Sequence, residues 1–126
     1  MGNFDIDLDF GKVYEEKIRE LFEGDGSIEV KTERDIWADT GNVAIEIKSR
    51  GKPSGISTTE AKWWIHNFTI EGDMKFSMIF KVDKLRKAIK HMYANELASI
   101  VTGGDNNTSE LVLAPISTLI LLNKKF

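Results

Sequence analysis

The sequence predicts an α/β domain, one sheet with helices packed on it. Three observations carry this. Segments 9–22 and 84–98 repeat apolar residues at three- and four-residue spacing, the period of an amphipathic helix. Short runs of β-branched and aromatic residues lie between and after them, bounded by glycine and small polar residues. The resulting order is helix, strand, strand, helix, strand, helix, strand, and elements of both kinds bury their apolar faces together on one sheet. At 126 residues the chain is long enough for a core of its own, and 1–126 is expected to be a single domain.

The first helix, 9–22, sets Phe10, Val13, Tyr14, Ile18, Leu21 and Phe22 on one face. Asp9 is placed to cap its start, and Gly24 with Gly26 stops it. Segments 28–37 and 43–48 read as an antiparallel hairpin across Asp39-Thr40-Gly41-Asn42, which has turn chemistry. With Thr40 and Gly41 as the loop residues, Asp35 stands opposite Glu46 and Glu33 opposite Lys48, and a bulge would shift that register by one. Residues 51–55 form a loop with a proline and two glycines. Ser57-Thr58-Thr59-Glu60 has capping-box spacing, so a helix is expected to about residue 68, burying some of Ala61, Trp64, Ile65 and Phe68. Segment 74–82 alternates as a strand does. Asp83 is placed to cap the helix 84–98, with Leu85, Ala88, Ile89, Met92 and Tyr93 inward. Segment 102–109 is polar and glycine-rich, hence a loop; 111–114 is a short strand ended by Pro115; and the apolar 116–122 fits either helix or strand.

Composition excludes several function classes. With no cysteine there is no disulfide and no thiolate zinc site, which fits a reducing cytoplasm, the expected location. No stretch is apolar for the roughly 20 residues of a membrane span, and the start, with Asp5, Asp7 and Asp9, lacks the basic and apolar regions of a signal peptide. No membrane partner is expected. The net charge is −3, but the distribution matters more. Acidic residues crowd the first third, from Asp5 through Asp25 to Glu29. Basic residues come later, at Lys48, Arg50 and Lys52 and along Lys81, Lys84, Arg86, Lys87 and Lys90. An acidic chain can still present one basic face.

Glu33-Arg34-Asp35 followed by Glu46-Ile47-Lys48 is the segment that carries chemistry. In a strand alternate side chains share a face, so Glu46 and Lys48 are expected to point one way and Ile45 and Ile47 the other. The apolar Val43, Ala44, Ile45 and Ile47 make that strand a buried one, where a charged pair is costly without partners or a task. Metal-assisted hydrolysis suits it: carboxylates hold a hard divalent cation and the lysine serves the attacking water beside a phosphate.

The helix glutamate, the acidic strand residue, the Glu-x-Lys and the following Gly51-Lys52-Pro53-Ser54-Gly55 loop together resemble the PD-(D/E)XK nucleases. Within that superfamily the chain is similar to the phage and archaeal-type Holliday junction resolvases, over about its first half; the second half matches in element order alone. The resemblance implies a restriction-endonuclease-like fold, a mixed central sheet flanked by helices. It implies Mg2+, with Mn2+ able to substitute, held by Glu46, by Asp35 or Glu33, by Glu15 from the first helix and by the Ile47 carbonyl. Lys48 would orient the water. The chain lacks the Pro-Asp pair, so two residues compete for the acidic position: the thirteen-residue spacing to Glu46 favours Glu33, while the hairpin register and the usual aspartate favour Asp35, which is placed first with Glu33 close behind. DNA contacts are expected from Arg50, Lys52, Ser54, Gly55, Thr58, Thr59 and Lys62, although capping chemistry alone explains Ser57, Thr59 and Glu60. The partner implied is branched double-stranded DNA, met by a homodimer. Trp63 and Trp64 cannot both face the core of one helix; Trp64 is assigned to it, and neither histidine is given a role. Rival readings are another viral nuclease that nicks, repairs or degrades DNA, an inactive nucleic-acid-binding module, and an interaction domain using the apolar residues 119–122.

Overall fold

The computed structural model of the protein describes residues 3–24 and 26–122, with side chains from Phe10 onward. The side chains of Asp5, Asp7 and Asp9, and all of Asp25, lie outside the described residues. The elements are α1 (Asn3–Glu23), β1 (Ile28–Arg34), α2 (Ile36–Thr40), β2 (Asn42–Ser49), β3 (Lys52–Pro53), β4 (Trp63–Ile70), β5 (Asp73–Lys81), α3 (Val82–Ala94), β6 (Ser99–Gly103), β7 (Ser109–Pro115) and α4 (Ile116–Leu122). Short 3-10 turns occupy Gly55–Ser57 and Asp105–Asn107.

The architecture is α/β, but the strands form two sheets where one was expected. The first, ordered β1-β4-β5, is mixed: β1 runs parallel to β4, and β4 antiparallel to β5. The second, ordered β3-β2-β7-β6, is antiparallel throughout. The expected hairpin between β1 and β2 is absent. Asp35 leaves β1 at a φ of 38° and opens the one-turn helix α2, which ends at Gly41 in the left-handed region. The residues of a tight turn are thus used to leave the sheet. The Asp35 N–H and the Trp37 indole N–H both donate to the Thr69 carbonyl, fastening this connection to β4.

The helix expected over 57–68 is likewise overturned, because most of it is strand β4. Trp64, His66 and Phe68 are buried and their neighbours are half-buried, a period of two. Aromatic and β-branched residues fit a pleated surface better than a helix. The capping-type residues before it serve a turn instead: the Thr59 hydroxyl accepts from the Ala61 N–H. In a strand Trp63 and Trp64 fall on opposite faces, which removes the conflict a helix posed.

Three smaller corrections follow from local chemistry. Helix α1 starts at Asn3, so Asp9 is inside it and not its cap. Helix α3 stops at Ala94, where Asn95 bonds back to His91 through backbone and side chain, and residues 99–103 then form β6, which the sequence reading missed. Asp83 sits in the first turn of α3, not at its cap, and accepts from the Lys84 N–H. Segment 116–122 is helix.

One core joins both sheets to α3 and α4. It contains Val43, Ile45 and Val112 from the antiparallel sheet, Trp64 and Phe68 from β4, Leu85, Ile89 and Met92 from α3, and Leu119 from α4. Full burial of each such side chain stabilises the fold by about 1.5–3 kcal/mol. Helix α1 stands apart from this core. Leu21 is buried in its last turn, but Phe10, Val13, Tyr14, Ile18 and Phe22 are 46–66% exposed. Among the described residues no helix is long and apolar enough to cross a membrane.

Candidate functional site

Glu46 lies in the middle of β2, half-buried, and its Oε1 accepts from the Ser109 hydroxyl of β7 at 2.8 Å. Gly55, at a φ of 55°, packs on the Glu46 backbone so closely that a Cβ there would overlap the Glu46 carbonyl. The Ile47 carbonyl accepts from the Ser54 N–H. The expected common face of Glu46 and Lys48 does not form. Glu46 is opposite Leu111 and Lys48 opposite Glu110, so β2 carries one extra residue at Ile47. Adjacent residues of β7 point to opposite faces, and paired residues share a face, so this bulge sends Lys48 to the face opposite Glu46. Lys48 is exposed there.

Glu33 is fixed more firmly. Its Oε1 accepts from the Ala44 N–H of β2 at 2.7 Å and meets His66 Nε2 at 3.1 Å. Nδ1 of His66 is 3.1 Å from the Trp64 indole nitrogen, which can only donate. Nδ1 therefore accepts, the proton sits on Nε2, and Nε2 donates to Glu33. The chain Trp64–His66–Glu33–Ala44 is buried at its centre, His66 being 2% exposed. The Glu33–Ala44 bond is the one hydrogen bond between strands of the two sheets among the described residues. It brings the Glu33 carboxylate beside the strand that carries Glu46, two residues before it. Glu33 was expected opposite Lys48 in a hairpin; instead its side chain reaches the backbone of Ala44, with no pairing of β1 to β2.

The same face of β1 carries a charged row that the sequence reading passed over. In the parallel register Glu29, Lys31 and Glu33 stand beside Trp64, His66 and Phe68, whose side chains face the core. Glu29 and Lys31 form an ion pair at 3.1 Å, with side chains 36% and 40% exposed, and the Lys31 ammonium lies 6.0 Å from the Trp64 ring centroid. Glu29-Val30-Lys31 is itself a Glu-x-Lys, in a strand without a bulge. Its signal was legible: charges at every second residue of a strand share one face.

The remaining expected residues are dispersed. The Asp35 Oδ1 accepts from the Glu71 N–H, so this carboxylate holds a turn. Glu15 is exposed on α1. Arg50, Lys52 and Thr58 are exposed around the turn after β2. The Ser54 hydroxyl is buried without a hydrogen bond among the described residues, and Thr59 is engaged through its carbonyl, which accepts from Arg86. Lys62 lines a groove of about 660 Å3 with Trp63, Lys81 and the end of α1, at the far end of β4 from Phe68. Among the described residues no three His, Asp or Glu side chains converge. In kind the donors fit a hard cation, since Mg2+ needs only one or two carboxylates beside water and substrate oxygens. Glu33 and Glu46 each use Oε1 in their hydrogen bonds, and the second oxygen of each has none among the described residues.

A scan against family models, a search of curated proteins and a search of solved structures each found no match.

Proposed function

We propose that this chain is a metal-dependent DNA endonuclease of the restriction-endonuclease-like type, acting as a homodimer on branched double-stranded DNA. The observation that carries the reading is the row Glu29, Lys31 and Glu33 on one half-buried strand face, with Glu33 bonded to the strand of Glu46. Charged groups are costly on an inward face, and here two carboxylates, a lysine and a histidine-held geometry concentrate on one.

Each side chain has a part in that reading. Glu33 and Glu46 would hold the cation through their unbonded oxygens. Bound Mg2+ supplies charge for the phosphate and a more acidic water. His66 keeps Glu33 in one orientation, and Ser109 does the same for Glu46. The Lys31 ammonium, paired with Glu29, would neutralise charge developing on the phosphate. Water oxygen bonds to phosphorus as the bond to the 3′-oxygen breaks, leaving a 5′-phosphate and a 3′-hydroxyl.

The test is cleavage of a four-way junction with Mg2+, against a linear duplex, for wild type and Glu33→Gln. Paired junction cuts lost in the variant support the proposal. Equal cutting of linear DNA replaces the resolvase with another DNA nuclease. Folded protein that binds both DNAs and cuts neither is a binding module.

A further inference from the structure

Two apolar faces lack a covering layer among the described residues. On α1, Phe10, Val13, Tyr14, Ile18 and Phe22 are 46–66% exposed. The outer face of the β1-β4-β5 sheet carries Val30, Trp63, Ile65 and Ile79 at one end, with Val30 55% and Ile79 37% exposed. None of these belongs to the core or packs against it. The five α1 side chains alone expose on the order of 500 Å2, given that an aromatic presents 150–250 Å2, and patches of that size mark interaction sites.

We infer that α1 of one copy lies across the outer face of the mixed sheet of a second copy, and the reverse, in a two-fold dimer. A helix face and a sheet face are the two layers that domains stack. Charge agrees. Residues 3–23 hold seven acidic and three basic side chains, while the outer sheet face holds Arg34 and Lys81 and no acid. The end of α1 borders the groove beside Trp63, so it leaves the molecule at the apolar end of that face. Leu21 is buried in the last turn of α1, while the apolar residues on either side of it are exposed. Two reciprocal contacts bury on the order of 1,600 Å2, the size of a standard stable interface. The inference rests on the pairing of copies proposed above and not on the hydrolysis.

The chain has no cysteine, so single cysteines report contacts cleanly. Ile18→Cys protein mixed with Val30→Cys protein is expected to form a mixed disulfide at dimer mass, and Ile18→Glu to raise the dimer dissociation constant at least tenfold in sedimentation. Both sites are exposed, so folding is retained. A wild type that sediments as a monomer overturns the dimer and this surface together. A dimer that forms no mixed disulfide, or only Ile18 to Ile18, overturns the surface and leaves the dimer. A disulfide at monomer mass in the Ile18→Cys/Val30→Cys double variant shows the helix on its own sheet, and also overturns it.

Discussion

Two strands of this protein carry the same tripeptide pattern and use it differently. On β1, Glu29-Val30-Lys31 sits in an unbroken parallel register, and its two charges share a face at 3.1 Å. On β2, Glu46-Ile47-Lys48 spans a bulge that parts its charges to opposite faces. The difference teaches that a Glu-x-Lys is a chemical unit only where the pleat is intact. One extra residue undoes a motif that the sequence spells out in full.

The comparison breaks most severely at Gly55. Gly55→Ala adds a Cβ against the Glu46 carbonyl at a positive φ, and is expected to cost about 3 kcal/mol or more, seen as a lower midpoint in urea. His66→Phe tests the other strand. It leaves the Trp64 N–H without its acceptor and Glu33 with one partner fewer, a loss of about 2 kcal/mol measurable in the same way. Ser109→Ala frees Glu46 and is expected to cost about 1 kcal/mol, a shift of a few degrees in thermal unfolding. Lys48→Ala, exposed beyond the bulge, should change stability by no more than about 0.5 kcal/mol. A larger effect there would mean that Lys48 is held as Lys31 is.

How far the sequence discloses this structure varies by region. Helix α3 and strand β5 were legible, because Leu85, Ala88, Ile89 and Met92 hold the helical period and 74–82 alternates. Strand β4 was misread, since Ser57 and Glu60 mimic a helix start and the period-two burial of Trp64, His66 and Phe68 depends on a partner strand far along the chain. The missing hairpin has a similar cause: the preference of β1 for β4 is a tertiary choice, and Asp35 at a positive φ leaves little local trace. In the candidate site Glu33 and Glu46 were legible as residues, but their supports were not. His66 and Ser109 lie 33 and 63 residues away in sequence, and no local pattern announces them.

The most direct test of the central claim sets the two lysines against each other. Junction cleavage with Mg2+ is measured for Lys31→Ala and for Lys48→Ala, both confirmed folded. Lys31→Ala is expected to lower the rate about 100-fold or more, the scale of losing one electrostatic stabiliser, and Lys48→Ala to change it only a few-fold. The reverse order would place the reacting lysine on the bulged strand and contradict the claim.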